Sequence, residues 1–161
     1  MKISVIVHSE SGKTKKAGEA VKKGIMSCGV DCQVMELSNM DLKYAKSSDA
    51  YIFGTPTYYA NISNQMKEFI DKGLMGIDIS SKLVGVFSTA NFSGGGSEIA
   101  NLSLINQLLV RGCMIYSGGC ACGKPYTHNG AVLINEYDYD EQEPKLIAFG
   151  KRLATQLKKI S

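Results

Sequence analysis

Short β-branched apolar runs alternate along this chain with longer stretches whose apolar residues recur at helical spacing. Ile3 to Val7 is the first such run, short and β-branched enough for a buried strand. From Thr14 the period lengthens. Ala17, Ala20, Val21, Gly24, Ile25 and Cys28 share one helical face, and Lys15, Lys16, Lys22 and Lys23 fall on the other. Gly29 supplies a helix stop. Val30 to Leu37 predicts a second strand and Ala50 to Phe53 a third. A helix starting at Ser63 or Asn64 turns Met66, Phe69 and Ile70 inward, and Lys82 to Ser88 predicts a fourth strand. Ser97 reads as the N-cap of a helix that buries Ile99, Leu102, Ile105, Leu108 and Leu109. Cys113 to Tyr116 predicts a fifth strand. Asp140 and Glu143 resemble a capping box for a last helix, with Leu146, Gly150, Leu153, Leu157 and Ile160 on its inner face.

Strands alternating with helices imply an α/β architecture, a parallel sheet covered on both faces and joined by right-handed crossovers. At 161 residues the chain is expected to form one domain, spanning 1–161, around one substantial core. Nothing repeats and no linker interrupts it; Ser117 to Gly130 is the longest irregular stretch, of the kind that tends to serve function. Hydrophobic residues make up 44% and charged residues 20%, an ordinary globular balance rather than a disordered one. The net charge of +3 is spread along the chain without a basic arm, which argues against nucleic acid as the partner. No apolar run approaches the roughly 18 residues of a membrane span, so no membrane insertion is expected. Five cysteines, an odd number without a disulfide framework, fit reduced thiols and a cytoplasmic location.

In a doubly wound sheet, ligands bind beyond the carboxyl ends of the strands, so the loops leaving those ends carry the functional information. The first loop, His8-Ser9-Glu10-Ser11-Gly12-Lys13-Thr14, offers hydroxyls, a glycine and a helix N-terminus, which suit a phosphate. An ordinary Ser/Thr-rich helix cap reads equally well from this loop alone. A nucleotide P-loop does not, because glycine is required five residues before Gly12 and Val7 stands there. The second loop runs from Gly54 through Pro56, Thr57, Tyr58, Tyr59, Ala60 and Asn61 to Ser63, and presents two adjacent aromatic rings fit to pack on a flat ligand. The third, Thr89-Ala90-Asn91-Phe92-Ser93-Gly94-Gly95-Gly96, ends in glycines that let backbone N–H groups approach a ring closely. Phosphate binding, an aromatic wall and close backbone together point to flavin mononucleotide (FMN). A dinucleotide would call for G-x-G-x-x-G, and the first loop holds Gly12 alone.

The spacing Gly54-Thr55-Pro56-Thr57, then Asn61, Ser63, Gln65-Met66, Phe69 and Asp71, with Gly94-Gly95-Gly96, Glu98 and Pro125-Tyr126 following, resembles one family across nearly the whole chain. It is similar to the flavodoxin-like flavoproteins, and within them to the tryptophan-repressor-binding-protein-like NAD(P)H:quinone oxidoreductases. That resemblance implies a three-layer sandwich with a five-stranded parallel sheet of order 2-1-3-4-5. It implies that Ser9 to Thr14 bind the FMN phosphate, that Pro56 to Tyr59 and Asn61 contact the isoalloxazine, and that Thr89 to Phe92 and Gly94 to Gly96 wrap its polar edge. It also implies association of copies into an oligomer. The chain departs from that branch in lacking tryptophan, in having Gly73-Leu74-Met75-Gly76 where an aromatic belongs, and in having Val110 or Arg111 in place of a histidine.

Two thiols, Cys120 and Cys122, fall short of the four ligands of a structural metal site, so no metal is expected. His128 reads as a surface histidine. No catalytic triad or carboxylate pair stands out, and flavin chemistry needs none, because the cofactor performs it. The resulting expectation is an FMN-dependent oxidoreductase that takes hydride from NAD(P)H and passes electrons to a quinone or similar small acceptor. The alternative is a flavodoxin-type carrier handing single electrons to redox-protein partners. A flavin-free binding module is a third reading, opposed by the intact loops.

Overall fold

The computed structural model describes residues 1–161. Its strands are β1 (Lys2–Val7), β2 (Asp31–Glu36), β3 (Ala50–Pro56), β4 (Leu83–Ala90), β5 (Met114–Ile115) and β6 (Ala131–Ile134). Its helices are α1 (Lys13–Met26), α2 (Leu42–Lys46), α3 (Asn64–Asp71), α4 (Ser97–Leu109) and α5 (Tyr139–Ile160). All pairings are parallel in the order β2-β1-β3-β4-β5, and β6 also pairs with β4. The fold is therefore the expected flavodoxin-like sandwich of order 2-1-3-4-5, with one strand more.

The extra strand is half of a divided one. β5 pairs Met114 and Ile115 with Leu83 and Val84, and β6 then continues along β4 from Phe87↔Ala131 to Ala90↔Ile134. The long irregular segment lies between the halves. It holds a 3-10 turn at Cys120–Cys122, and the Arg152 guanidinium donates to the carbonyls of Cys122, Gly123 and Pro125.

β1, β3 and β4 are buried along almost their whole length, as strands covered on both faces must be. Alternation sends Ile3, Val5 and Val7 into a core beneath α1 and α5. Ile6, Tyr51 and Phe53 go into a second core beneath α2, α3 and α4.

Three helical expectations need correction. Ser97 is not an N-cap; Gly96 holds that position at φ 86° without a side-chain bond, and Ser97 opens the helix. The inner face of α4 is Ala100, Asn101, Leu104 and Leu108, while Ile99, Leu102 and Leu109 are exposed. The sequence is apolar on most sides of this helix, so periodicity could not tell its faces apart. α5 is capped two residues earlier than expected, by Asp138, which accepts from the Asp140 amide at 2.9 Å; Glu143 instead pairs with Lys23 of α1 at 2.7 Å. Ile160, the last residue of α5, is exposed. No helix is long and apolar enough to cross a membrane.

Candidate functional site

β1, β3 and β4 deliver the three loops to one edge of the sheet, and a small set of hydrogen bonds ties them together. The Thr57 amide donates to the Thr89 carbonyl at 2.7 Å, and the Thr14 and Thr89 hydroxyls share a buried bond of 2.9 Å. The Tyr58 hydroxyl donates to Glu10 at 3.3 Å. Between them lies a cavity of about 260 Å³ lined by Glu10, Ser11, Lys13, Thr14, Pro56, Thr57, Tyr58, Thr89, Ala90, Asn91 and Asn135. A larger hollow of about 500 Å³ lies beside α3, between His8, Leu37, Phe69 and Met75, and draws on neither Thr57 nor the third loop.

The cavity fits a phosphorylated, flat ligand on grounds internal to the structure. No protein acceptor takes the backbone N–H groups of Ser11, Gly12, Lys13 or Thr14, which fan out at the start of α1. Gly12 adopts φ 81° with open space where a Cβ would stand. The Thr57 hydroxyl is buried without any partner, and buried polar groups are rarely left so. At the far end the Tyr58 ring, 41% exposed, offers an aromatic surface.

Not every expected residue reaches the cavity. Ser9 turns back to accept from the Lys15 amide at 3.1 Å, closing the first turn of α1. Asn61 accepts from the Ile62 amide at 2.8 Å and from the Ser103 hydroxyl at 2.9 Å, so it braces the second loop against α4. Tyr59 and Phe92 project into solvent. Gly94 and Gly96 border a separate trough with Val132, Ile134 and Lys145, and Gly95 curls over the Phe92 carbonyl. Gly96 lies so close to Ala60 that a Cβ there would come within 2.4 Å of the alanine methyl.

Asn135 was not expected. Its amide donates to the Ala90 carbonyl at 2.8 Å and its side chain to Asn91 at 3.0 Å, while Glu136 accepts from the Ser93 amide at 2.6 Å. Both sit just past β6 and shape the third loop. Cys120 and Cys122 are exposed and line none of this cavity, and no three His, Cys, Asp or Glu side chains gather to hold a metal.

His8 and Glu10 set the charge beside the first loop. Burial holds the His8 imidazole below its ordinary pKa of 6.5, against the weaker opposing pull of Glu10 and Glu36. Its Nδ1 is buried and unpartnered, so a proton there would be poorly satisfied. The unfolded chain therefore binds that proton first as pH falls. Stability should decline as pH drops through about 6.5 and level off below the lower folded-state pKa. Urea midpoints for the protein and for His8→Gln, measured on either side of this window, check it: the variant should lose the step.

The second loop is strained. Tyr59 and Ala60 both take left-handed φ values, 49° and 59°, inside a two-residue turn closed by Tyr58 and Asn61 at 2.9 and 3.0 Å. Left-handed backbone costs about 1 kcal/mol per non-glycine residue. Ala60→Gly should therefore raise the melting temperature by about 2 °C, the scale for a domain of this size, read by calorimetry.

Comparison with known proteins decides the family. A profile described as Flavodoxin matches residues 5–101. A flavodoxin of Clostridium saccharobutylicum is 45% identical over 161 residues, covering 99% of both chains. The chain belongs to the flavodoxin family.

Two expectations change with that. An NAD(P)H dehydrogenase (quinone) of Cupriavidus metallidurans is 29% identical, over 84% of this chain and 76% of its own. The chain is thus nearer to the Clostridium flavodoxin than to the quinone-reducing branch that its loops resemble. The expected NAD(P)H-to-quinone oxidoreductase is overturned by the full-length 45% identity, which favours the electron-carrier alternative. The Gly-Thr-Pro-Thr and triple-glycine segments misled because one shapes the end of β3 and the other the start of α4, and neither loop geometry depends on the redox role. Among solved structures, an archaeal flavodoxin superposes with TM-score 0.79 at 25% identity, covering 98% of this chain and 99% of the other. Fusobacterium nucleatum flavodoxin bound to flavin mononucleotide does so with TM-score 0.72 at 19% identity, covering 99% and 98%, a likeness of fold.

Proposed function

We propose that this flavodoxin-family chain, as one domain, binds one FMN at the carboxyl edge of its sheet and carries single electrons between redox proteins. The observation that carries this reading is the cavity itself: free backbone N–H groups at one end, the orphaned Thr57 hydroxyl in the middle and the Tyr58 ring at the other. Ser11, Gly12, Lys13 and Thr14 would hold the phosphate, with Ser9 keeping the loop in shape. Thr57 and Tyr58 would lie against the ring system, and the backbone of Thr89 to Asn91 along its polar edge. The flavin supplies reversible electron transfer when bound; the protein positions it and surrounds it with fixed dipoles. The family's Clostridium member and the FMN-bound relative support the cofactor and the role. Reduced thiols and the absence of an apolar spanning helix suit a cytoplasmic carrier.

The test is anaerobic. Apo-protein should quench the fluorescence of added FMN with one-to-one stoichiometry. The loaded protein should keep its yellow colour when mixed with NADH or NADPH and lose it with dithionite. Rapid bleaching by either nicotinamide would overturn the carrier role, and absence of FMN binding would overturn the site.

A further inference from the structure

The larger hollow beside α3 belongs to no part of the proposed flavin site. At about 500 Å³ it has the size of pockets that enclose small molecules. It shares no lining residue with the flavin cavity. Its walls come from the chain just past β1, the end of β2, α3 and the turn after α3.

That turn sets the hollow apart from an ordinary surface depression. Gly73, Leu74, Met75 and Gly76 take positive φ one after another, at 81°, 55°, 54° and 76°. Left-handed backbone is unfavourable for any residue with a Cβ, and such outliers gather at ligand clamps. At Leu74 the strain is offset by packing, because its side chain is buried in the second core. Met75 has no such compensation. It is half exposed, and its side chain forms one wall of the hollow. Glycine would suit the turn better at that position, so the methionine answers to the hollow and not to the turn.

The walls specify the chemistry of the occupant. Met75, Leu37 and the Phe69 ring are the apolar surfaces, and a thioether and an aromatic ring both pack well on a flat π-system. The ionic groups of the wall are already paired. Glu36 accepts from Lys15 at 2.6 Å, and Glu68 accepts from Lys72 one turn further along. Burial keeps the His8 imidazole uncharged at neutral pH. A charged ligand would find no free counter-ion here, and an unpaired charge is costly to bury. The Ser38 hydroxyl lines the hollow without a protein partner and is open to one polar group of the ligand.

We propose that this hollow is a second binding site, for a small uncharged aromatic molecule carrying one hydrogen-bonding group. Phe69 and Met75 hold its ring, Leu37 closes the opposite side, and Ser38 meets its polar atom.

Indole is the probe, added to the FMN-loaded full-length protein and followed by amide chemical shifts in two-dimensional NMR. With the flavin cavity filled, shifts should concentrate at Leu37, Ser38, Phe69 and Met75, with a dissociation constant on the order of 10⁻³ M. The same residues should respond in flavin-free protein, so failure of the flavin reading would leave this result intact. Indole carboxylate and indolylmethylammonium, charged analogues of similar shape, should each bind at least about fivefold more weakly. Met75→Gly should weaken indole binding about fivefold without lowering the melting temperature, since glycine suits the left-handed position. Lys72→Ala, at an exposed position, leaves Glu68 unpaired and should turn the preference toward the ammonium probe. Absence of shifts at these residues, or a charged analogue bound by the wild type as well as indole is, overturns the proposal. So does a Met75→Gly variant that binds indole as the wild type does.

Discussion

Gly150→Ala should destabilise the protein by about 3 kcal/mol, the upper end of what overpacking costs, and lower its melting temperature by about 10 °C. The reason lies where α1 crosses α5. A Cβ at Gly150 would stand 2.0 Å from the Val21 carbonyl oxygen and 2.9 Å from its carbon. On the facing helix, a Cβ at Gly24 would stand 2.0 Å from the Ile147 carbonyl oxygen and 2.9 Å from the Lys151 amide nitrogen. Each obstacle is helical backbone, which cannot rotate out of the way as a side chain can. The helices must separate, and separation opens the core formed by Val21, Ile25, Leu146, Leu153 and Ala154. Lys151→Ala, beside Gly150 but facing solvent, should change stability by less than about 0.5 kcal/mol. Calorimetry on the two variants reads both effects. Equal melting temperatures would show that α5 shifts freely and that the glycine pair is not a packing requirement.

That crossing marks the limit of what the chain discloses when read in order. Gly24 and Gly150 each lie on an apolar helical face that periodicity finds, so both were assigned inward. Their mutual contact joins residues more than a hundred positions apart, and no local pattern encodes it. The same limit explains the divided strand. Ile3 to Val7 and Ala50 to Phe53 are dense enough in β-branched and aromatic residues to read as strands unaided. Cys113 to Tyr116 also reads as a strand and contains Met114–Ile115, but Ala131–Ile134 does not, and it becomes a strand only because β4 offers one continuous edge to both. Missing β6 meant missing Asn135, which follows it into the cavity. Four apolar residues from Ala131 to Ile134 were the available signal, hidden at the end of a segment that otherwise looks like loop. In α4, apolar residues on both faces removed the contrast on which a helical reading depends.

The first loop allows the sharpest statement about ligand binding. Ser9→Ala, Ser11→Ala and Thr14→Ala together should weaken FMN binding about a thousandfold. Hydrogen bonds to charged groups contribute about 1.5–3 kcal/mol each, and 1.4 kcal/mol is tenfold in affinity. The three hydroxyls should contribute unequally. Ser11 lines the cavity and has no protein partner, so its hydroxyl is free for an anion. Thr14 already bonds to Thr89 in a buried pair at 2.9 Å, so its removal also leaves the Thr89 hydroxyl unsatisfied. Ser9 acts at one remove, by holding the Lys15 amide at 3.1 Å and with it the first turn of α1. The single variants should therefore rank Ser11 and Thr14 above Ser9 for affinity, and Thr14 above both others for stability. Riboflavin, which lacks the phosphate, separates site from scaffold. Its binding should change less than about tenfold in the triple variant, because Thr57 and Tyr58 are untouched and the third loop loses only the partner of the Thr89 hydroxyl. Fluorescence titration with the two flavins measures the contrast. If FMN and riboflavin weaken equally, the loop acts by shaping the whole cavity. If neither weakens, the anion site lies elsewhere. A selective loss of FMN is the signature of a helix N-terminus whose free N–H groups and hydroxyls meet a phosphate.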